Sequence, residues 1–194
     1  MRLWTVQPLS ALEELKQTGV YRCRREKSFN LTKRDSLEKP YQWLIQRMKE
    51  KIGQPPEGVT YPVWAWHTWE FARRAPDADS AAFLRRTEDK VLFTLEIPES
   101  QVTLTDFDAW QLVLQNMYVA DKRTEAEFAA LQEKLEELPA DELAAAIEAS
   151  WDHVFLIDPV DTDVLTRGKF VQATFWEIKP EYVVQADVLP REAP

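Results

Sequence analysis

The feature that most constrains the fold is the position of the apolar, β-branched segments, which occur near both ends of the chain with helical patterns between them. Residues 3–6, 62–69, 90–97, 171–178 and 182–188 are rich in Val, Thr, Phe and Trp, a composition typical of strands. Because buried strands must pair to satisfy their backbone groups, we expect the strands at 3–6, 62–69 and 171–178 to lie in one sheet system that brings the chain ends together. This order predicts an α+β fold of mainly antiparallel small sheets with helices between and around them.

The segments between these strands have helical spacing and contain signals for where helices begin. Two capping boxes are predicted, one from Ser10 with Glu13 and one from Thr124 with Glu127, and Asp106 or Thr105 is expected to cap a third helix. The helix after Thr124 has apolar residues spaced three, four and three apart, which predict the buried stripe of a peripheral helix: Phe128, Leu131, Leu135 and Leu138. No repeat or long linker divides the chain, so we expect a single domain over residues 1–194.

Composition excludes several classes of function. The chain has only four glycines and no Gly-rich stretch, which excludes the dinucleotide fingerprint and the P-loop. Its formal net charge of −9 disfavours nucleic acid as a partner. One cysteine and two widely separated histidines predict neither a disulfide framework nor a metal site. The sequence lacks an apolar run of the roughly 20 residues that a membrane helix needs and has no signal-peptide pattern, so we expect a cytoplasmic protein without membrane contact.

The individual reactive residues have ordinary structural explanations. His67 lies within an aromatic strand and is expected to be packed and hydrogen-bonded, whereas His153 is expected to act as a favourable cation near a helix end. Cys23 has no evident histidine base nearby. Asp158, Asp161 and Asp163 lack the glycine and distal glutamate of a calcium loop, and their spacing indicates a turn.

Two broader features allow either a structural or a binding role. Eight tryptophans are explained mainly by core packing, although an aromatic cleft would also use them. Residues 22–34 contain six basic residues and one acidic residue, in an otherwise acidic chain. This segment is either a solvated face or a surface that contacts an anionic ligand or a protein partner.

Six segments of the chain together resemble a bacterial family catalogued as domain of unknown function 3841. They are Leu-Trp-Thr-Val-Gln-Pro at 3–8, Gly-Val-Tyr at 19–21, Val-Trp-Ala-Trp at 63–66, Asp-Phe-Asp-Ala-Trp at 106–110, Ser-Trp-Asp-His-Val-Phe at 150–155 and Val-Gln-Ala-Thr-Phe-Trp at 171–176. The resemblance covers roughly residues 2–189. That family has no established activity, so the resemblance implies no mechanism.

A more distant resemblance is to the ADP-ribosyltransferase-like fold. It rests on Leu-Trp-Thr at 3–5 followed by Gly-Val-Tyr at 19–21, on Trp-His-Thr at 66–68, and on the late strand–turn–strand unit at 172–184. Members of that superfamily hold NAD in a cleft between two small sheets. The resemblance therefore implies catalytic positions at Gln172 and Glu177, and NAD-binding positions at Trp4, Thr5, Tyr21, Arg22, Arg24 and Trp66.

The sequence departs from that pattern at two of these positions. Thr5 occupies the place of the basic residue in the first strand, and the neutral Gln172 aligns with the catalytic glutamate. Glu177 is acidic but, by strand parity, falls on the opposite face from Gln172. Three functions therefore remain open: an enzyme acting on NAD or a related nucleotide, a non-catalytic small-molecule-binding domain, and a protein-interaction module. Clustering of Trp4, Trp66 and Gln172 in one concave pocket would favour the first two.

Overall fold

The computed structural model describes residues 1–25, 37–77 and 88–191, and these ranges contain ten strands and five α-helices. The strands are β1 (Arg2–Pro8), β2 (Tyr21–Arg22), β3 (Val63–Thr68), β4 (Lys90–Glu96), β5 (Thr103–Asp106), β6 (Val160–Asp161), β7 (Thr166–Arg167), β8 (Val171–Phe175), β9 (Glu177–Ile178) and β10 (Val183–Leu189). The helices are α1 (Leu9–Thr18), α2 (Glu38–Ile52), α3 (Phe107–Leu114), α4 (Glu125–Glu136) and α5 (Ala140–Ser150). Short 3-10 helices occur at Glu99–Gln101, Trp151–Phe155 and Pro180–Tyr182.

Six of the strands form one antiparallel sheet in the order β10-β4-β1-β3-β8-β5. The predicted strands at 3–6, 62–69 and 171–178 are therefore neighbours, with β1 beside β3 and β3 beside β8, and the last strand closes one edge of the same sheet. Two further antiparallel pairs, β2 with β9 and β6 with β7, stand outside it. The predictions of an α+β fold and of a common sheet for these strands are confirmed.

Each face of the sheet packs against its own set of helices. Alternation along the strands directs Leu3, Phe93 and Ala173 into a core that also contains residues of α1. The opposite face has Trp64, which lies 5.3 Å (ring centroids) from Trp110 of α3 and 6.3 Å from Tyr41 of α2. Most of the tryptophans are thus accounted for by packing on the second face.

The late strand predicted at 171–178 is broken in two at Trp176. The indole of Trp176 is buried in the α2 core, and its Nε1 donates to the carbonyl oxygen of Gly53 at 3.0 Å. Beyond it the chain leaves the large sheet, and Glu177 pairs with Arg22 of β2. Gln172 and Glu177 consequently belong to different sheets, a separation that strand parity alone does not predict.

Two predictions about helices are wrong. Ser10 does not cap α1, because the helix begins at Leu9 and Pro8 occupies the N-cap position. The stripe on α4 is not buried: Phe128 is 37% exposed, and Leu131, Leu135 and Leu138 are only half-buried. The reason is that α4 lies at the periphery, where the three leucines face a groove beside α5 rather than a core. The capping box of Thr124 with Glu127 and the cap at Asp106 are confirmed.

Candidate functional site

The junction between β5 and α3 is built around the buried carboxylate of Asp106. Its Oδ1 accepts from the backbone N–H of Ala109 at 2.9 Å, which caps α3, and its Oδ2 accepts from the N–H of Gly168 at 2.7 Å. Burial raises the pKa of Asp106, and these two N–H donors oppose the rise. The carboxylate therefore joins the start of α3 to the turn after β7.

Glycine is required at position 168 by the geometry of that turn. Gly168 has a φ of +74°, and a Cβ placed there would lie 2.5 Å from the carbonyl oxygen of Ile157. The absence of a side chain allows the turn to pass close to this backbone and still present its N–H to Asp106.

The 3-10 helix Trp151–Phe155 is held against the loop after α3 by two side-chain hydrogen bonds. Trp151 is fully buried and its Nε1 donates to the carbonyl oxygen of Met117 at 3.1 Å. Nδ1 of His153 lies 2.7 Å from the carbonyl oxygen of Val119. Because a carbonyl oxygen only accepts, Nδ1 carries the proton, and Nε2 is the acceptor of the neutral ring. This hydrogen bond fixes the orientation of the His153 ring, which the predicted role as a cation near a helix end does not require.

A buried arginine fixes the β6–β7 hairpin to the same region. Arg167 is 7% exposed, and its Nη1 lies 2.6 Å from Oδ1 of Asp121 while its Nε donates to the carbonyl oxygen of Asp158 at 3.2 Å. Asp161 pairs with Thr166 across the hairpin, which agrees with the turn predicted for residues 158–163.

These elements enclose a cavity of about 250 Å³, which we call the His153 pocket. Its walls are largely apolar and include Leu112, Val119 and Leu165. Its polar lining consists of three carboxylates, one guanidinium, one hydroxyl and one imidazole: Asp106, Asp108, Asp121, Arg167, Thr166 and His153. Carboxylates outnumber guanidinium groups in the lining by three to one.

Asp108 is the solvent-exposed carboxylate at the mouth of the His153 pocket. It is exposed, yet partial desolvation at the pocket raises its pKa, and the positive charge of Lys169 opposes that rise. A titratable group of this kind beside an apolar cavity is a common feature of binding sites. Among the described residues no group of three or more His, Cys, Asp or Glu side chains is arranged to hold a metal ion.

A second cavity of about 250 Å³, the Glu177 cleft, lies at the end of the large sheet beside β9. Glu177 is bracketed by two cations, with Arg22 at 2.9 Å and Lys179 at 3.5 Å from its carboxylate oxygens. Trp176 and Tyr182 line the cleft, and the hydroxyl of Tyr182 donates to Oε1 of Gln101 at 2.6 Å.

The structure brings together three of the residues that the distant resemblance implied and separates the others from them. Trp4, Trp66 and Gln172 are direct cross-strand partners on one face of the sheet. Trp66 is buried, with its ring 4.9 Å from Trp69 and 5.4 Å from Phe107, so packing accounts for it. None of the three residues lines the His153 pocket or the Glu177 cleft.

Thr5 and Tyr21 lie on the opposite face, in a hydrogen-bonded chain. The hydroxyl of Tyr21 donates to Oε1 of Gln7 at 3.0 Å, Nε2 of Gln7 donates to Thr5 at 2.8 Å, and Thr5 donates to the carbonyl oxygen of Trp64 at 2.7 Å. Burial raises the pKa of Tyr21 well above its ordinary value. This chain satisfies polar groups within the α1 core and places Thr5 and Tyr21 away from Gln172.

The basic segment at 22–34 is only partly within the described residues. Its first three arginines each contact a carboxylate: Arg22 with Glu177, Arg24 with Glu14 at 2.9 Å and Arg25 with Glu38 at 3.3 Å. Residues 26–34, including Lys27, Lys33 and Arg34, lie outside the described ranges.

Sequence reasoning did not identify the His153 pocket as a site. Two of its walls come from segments that carry the family resemblance, Asp-Phe-Asp-Ala-Trp at 106–110 and Ser-Trp-Asp-His-Val-Phe at 150–155. The sequence does not indicate that these two segments meet in space. Asp121 and Arg167, which form an ion pair in the wall of the pocket, stand in no recognisable motif.

The comparisons with known proteins address which family the chain belongs to. No helix within the described residues is long and apolar enough to cross a membrane. Neither the curated proteins nor the solved structures gave a match to this sequence. The family model described as Domain of unknown function (DUF3841) matches residues 2–184, and the protein therefore belongs to that family.

Proposed function

We propose that the protein is a small-molecule-binding domain and that the His153 pocket takes a neutral or cationic ligand with N–H or O–H donors. The observation that carries this proposal is the excess of carboxylates over cations within a largely apolar cavity. Enclosure by four separate chain segments supports ligand binding over a purely structural role.

The chemistry of the lining sets the ligand class. Among the described residues, Nε2 of His153 has no hydrogen-bond partner, and it is available as an acceptor together with the carboxylate of Asp108. Arg167 is already engaged by Asp121 and by the carbonyl oxygen of Asp158, so it offers little to an anion. Leu112, Val119 and Leu165 suit the apolar part of the ligand, while a polyanion is repelled by the net negative lining.

A thermal-shift screen of polyols, amines and nucleosides tests this proposal, because a ligand that binds the folded state raises the melting temperature. For a ligand found in the screen, we expect Asp108→Asn to weaken binding about tenfold or more, through loss of a charge-assisted hydrogen bond. Asp163→Asn is the matched control, since Asp163 is an exposed carboxylate that does not line the pocket. Equal effects of the two variants, or a screen that yields only anions, would contradict the proposal.

A second candidate function is the binding of NAD or a related nucleotide in the Glu177 cleft. Arg22 and Lys179 beside Glu177 favour this candidate, because phosphate groups need cations whereas ribose hydroxyls need a carboxylate acceptor. Trp176 and Tyr182 provide aromatic walls. In this candidate Glu177 is the acid of an ADP-ribosyltransferase-like reaction, where it stabilises the cationic character that develops on the ribose.

Calorimetry with NAD and ADP-ribose, followed by an assay of NAD hydrolysis, tests the second candidate. We expect Glu177→Gln to lower hydrolysis at least tenfold and Asp108→Asn to leave it unchanged. If Gln172 occupies the catalytic position instead, Gln172→Glu raises hydrolysis and Glu177→Gln has no effect. Absence of binding at millimolar concentration rejects the nucleotide candidate altogether.

The proposal also covers the cellular compartment of the protein and the kind of organism that makes it. The single cysteine and the resemblance to a bacterial family support a cytoplasmic protein of a bacterium. If neither cavity binds a small molecule, the interaction-module alternative becomes the better one.

A further inference from the structure

The hairpin formed by α4 and α5 exposes apolar residues that a peripheral helix pair normally hides. We call residues 124–150 the acidic hairpin. Within α4 no residue is buried, and Phe128 is 37% exposed. Met117, just before this region, is 48% exposed. This apolar surface is accessible, and no residue of the acidic hairpin lines the His153 pocket or the Glu177 cleft.

The half-buried leucines border an open groove of about 280 Å³. Leu131, Leu135 and Leu138 form one side, and Tyr118 and Ala146 also line it. From Leu131 on α4 to Leu138, two residues beyond its end, these leucines span about 10 Å at a rise of about 1.5 Å per residue. Two turns of a partner helix would cover this length, which suits the helix-in-groove mode of recognition.

The charge of the acidic hairpin is strongly one-sided. It contains eight acidic residues and one lysine, so it holds −7 of the formal net charge of −9. Glu148 forms an ion pair with Lys39, and Glu127 serves the capping box. Within the described part of the chain, the remaining carboxylates have no cationic partner: Glu125, Glu133, Glu136, Glu137, Asp141 and Glu142.

We propose that the groove of the acidic hairpin docks a basic amphipathic helix of a partner protein. The apolar face of that helix would cover Leu131, Leu135 and Leu138. Of the charged residues, Glu142 and Lys134 line the groove itself. The lysines or arginines of the partner would meet Glu142 and the other unpaired carboxylates of the acidic hairpin, which outnumber its one lysine. A second copy of this chain is the less suitable occupant, because two acidic hairpins repel each other. An anionic membrane surface is disfavoured for the same reason.

Fluorescence anisotropy with a labelled synthetic peptide, an amphipathic helix with leucines on one face and lysines on the other, tests the proposal against the full chain. We expect binding that weakens at least tenfold for the double variant Leu131→Ser/Leu135→Ser. The matched control is Val184→Ser/Val188→Ser, which removes two apolar side chains that are 55% and 54% exposed on β10. Circular dichroism of each variant establishes that it is folded before binding is compared.

Hydrogen exchange then locates the peptide, with new protection expected within residues 118–146. The proposal is overturned if the leucine variant binds as tightly as the parent chain, if protection falls elsewhere, or if a glutamate-containing peptide of the same pattern binds equally well. Sedimentation gives the remaining outcome: a concentration-dependent dimer that the leucine variant abolishes would identify a second copy as the occupant and reject a basic helix.

Discussion

The His153 pocket and the Glu177 cleft have similar volumes, about 250 Å³ each, but differ in charge and in the burial of their ion pairs. In the first, the Arg167 side chain is 8% exposed and is paired to only one of three lining carboxylates. In the second, one carboxylate lies between Arg22, which is 36% exposed, and Lys179. Cavity size therefore does not distinguish the two sites. Their charge balance does, and the two proposals rest on it: a donor-rich or cationic ligand for the first and an anionic ligand for the second.

The same comparison separates an enclosed arginine from a more accessible one. Arg167 is enclosed and satisfies both a carboxylate and a backbone carbonyl, so we expect it to stabilise the hairpin. Arg22 also contacts a carboxylate and a backbone carbonyl, those of Glu177 and Glu57, but its side chain is 36% exposed. Four predictions follow this contrast, beginning with the variant expected to have the greatest effect.

The largest effect is expected for Arg167→Met. The substitution leaves Asp121 without its cation and the carbonyl of Asp158 without its donor, and we expect it to lower the free energy of unfolding by about 3 kcal/mol. Urea denaturation measures the change. Arg22→Met is the matched control, for which we expect about 1 kcal/mol or less, because its ion pair is more exposed. Equal losses in the two variants would remove the distinction between the sites.

A smaller loss is expected for Asp106→Ala. This change removes the cap of α3 and leaves the N–H of Gly168 without its acceptor, which we expect to cost about 2 kcal/mol. Ligand affinity of the His153 pocket should fall with it, while the Glu177 cleft is unchanged. The control Asp108→Ala alters an exposed carboxylate of the same turn and should change stability by about 0.5 kcal/mol or less. Chemical denaturation and ligand titration of both variants check this prediction.

The third prediction concerns pH and the histidine that lies outside both cavities. Burial and the positive charges of Arg73 and the N-terminus lower the pKa of His67 to about 4. The unfolded chain therefore takes up a proton near pH 6.5 that the folded protein accepts only near pH 4. The stabilising contribution is complete above pH 6.5 and is lost as the pH falls towards 4, by about 1–2 kcal/mol at pH 4.5 after allowance for solvent screening.

Urea denaturation of the parent and of His67→Gln at pH 7 and pH 4.5 measures this effect. We expect the variant to lose less stability on acidification than the parent by that amount. Identical pH dependence in the two proteins would show that other groups, including those of the cavities, set the acid sensitivity.

The smallest effect is expected for Leu131→Ala on the exposed helix α4. Because Leu131 is only half-buried, we expect a loss of about 1 kcal/mol and no change in ligand affinity at either cavity. Leu44→Ala, at a fully buried position of α2, is the contrasting case and should cost about 3 kcal/mol. Thermal denaturation orders the two variants, and a larger loss at Leu131 would mean that α4 is more firmly packed than its exposure indicates.

Much of the scaffold was predictable because it depends on short-range patterns. The alternation at 63–66 and the aspartate before α3 are signals that depend only on residues a few positions away. The first predicted strand β3 and the second predicted the cap of α3, and both are observed. The neighbouring arrangement of β1, β3 and β8 also followed, since apolar strands have few ways to satisfy their backbones. The expectation of one domain over residues 1–194 stays a prediction, as do the roles implied for Gln172 and Glu177.

The exposed stripe on α4 shows where local pattern is insufficient. Spacing of three, four and three specifies which residues share a helix face, but not whether another element covers that face. The same limit applies to Trp66. Its aromatic side chain is compatible with a ligand cleft from the sequence, but in the structure it packs against Trp69 and Phe107.

By itself, the sequence determined the α+β class, most of the strands, two helix caps and an acidic surface, because these depend on composition and on neighbours a few residues away. Tertiary structure alone decided the break at Trp176, which sends Glu177 to Arg22 and away from Gln172. It also decided the His153 pocket, where Arg167 meets Asp121 across 46 residues of sequence. Such contacts depend on the path of the whole chain, and residue type and spacing constrain that path only weakly.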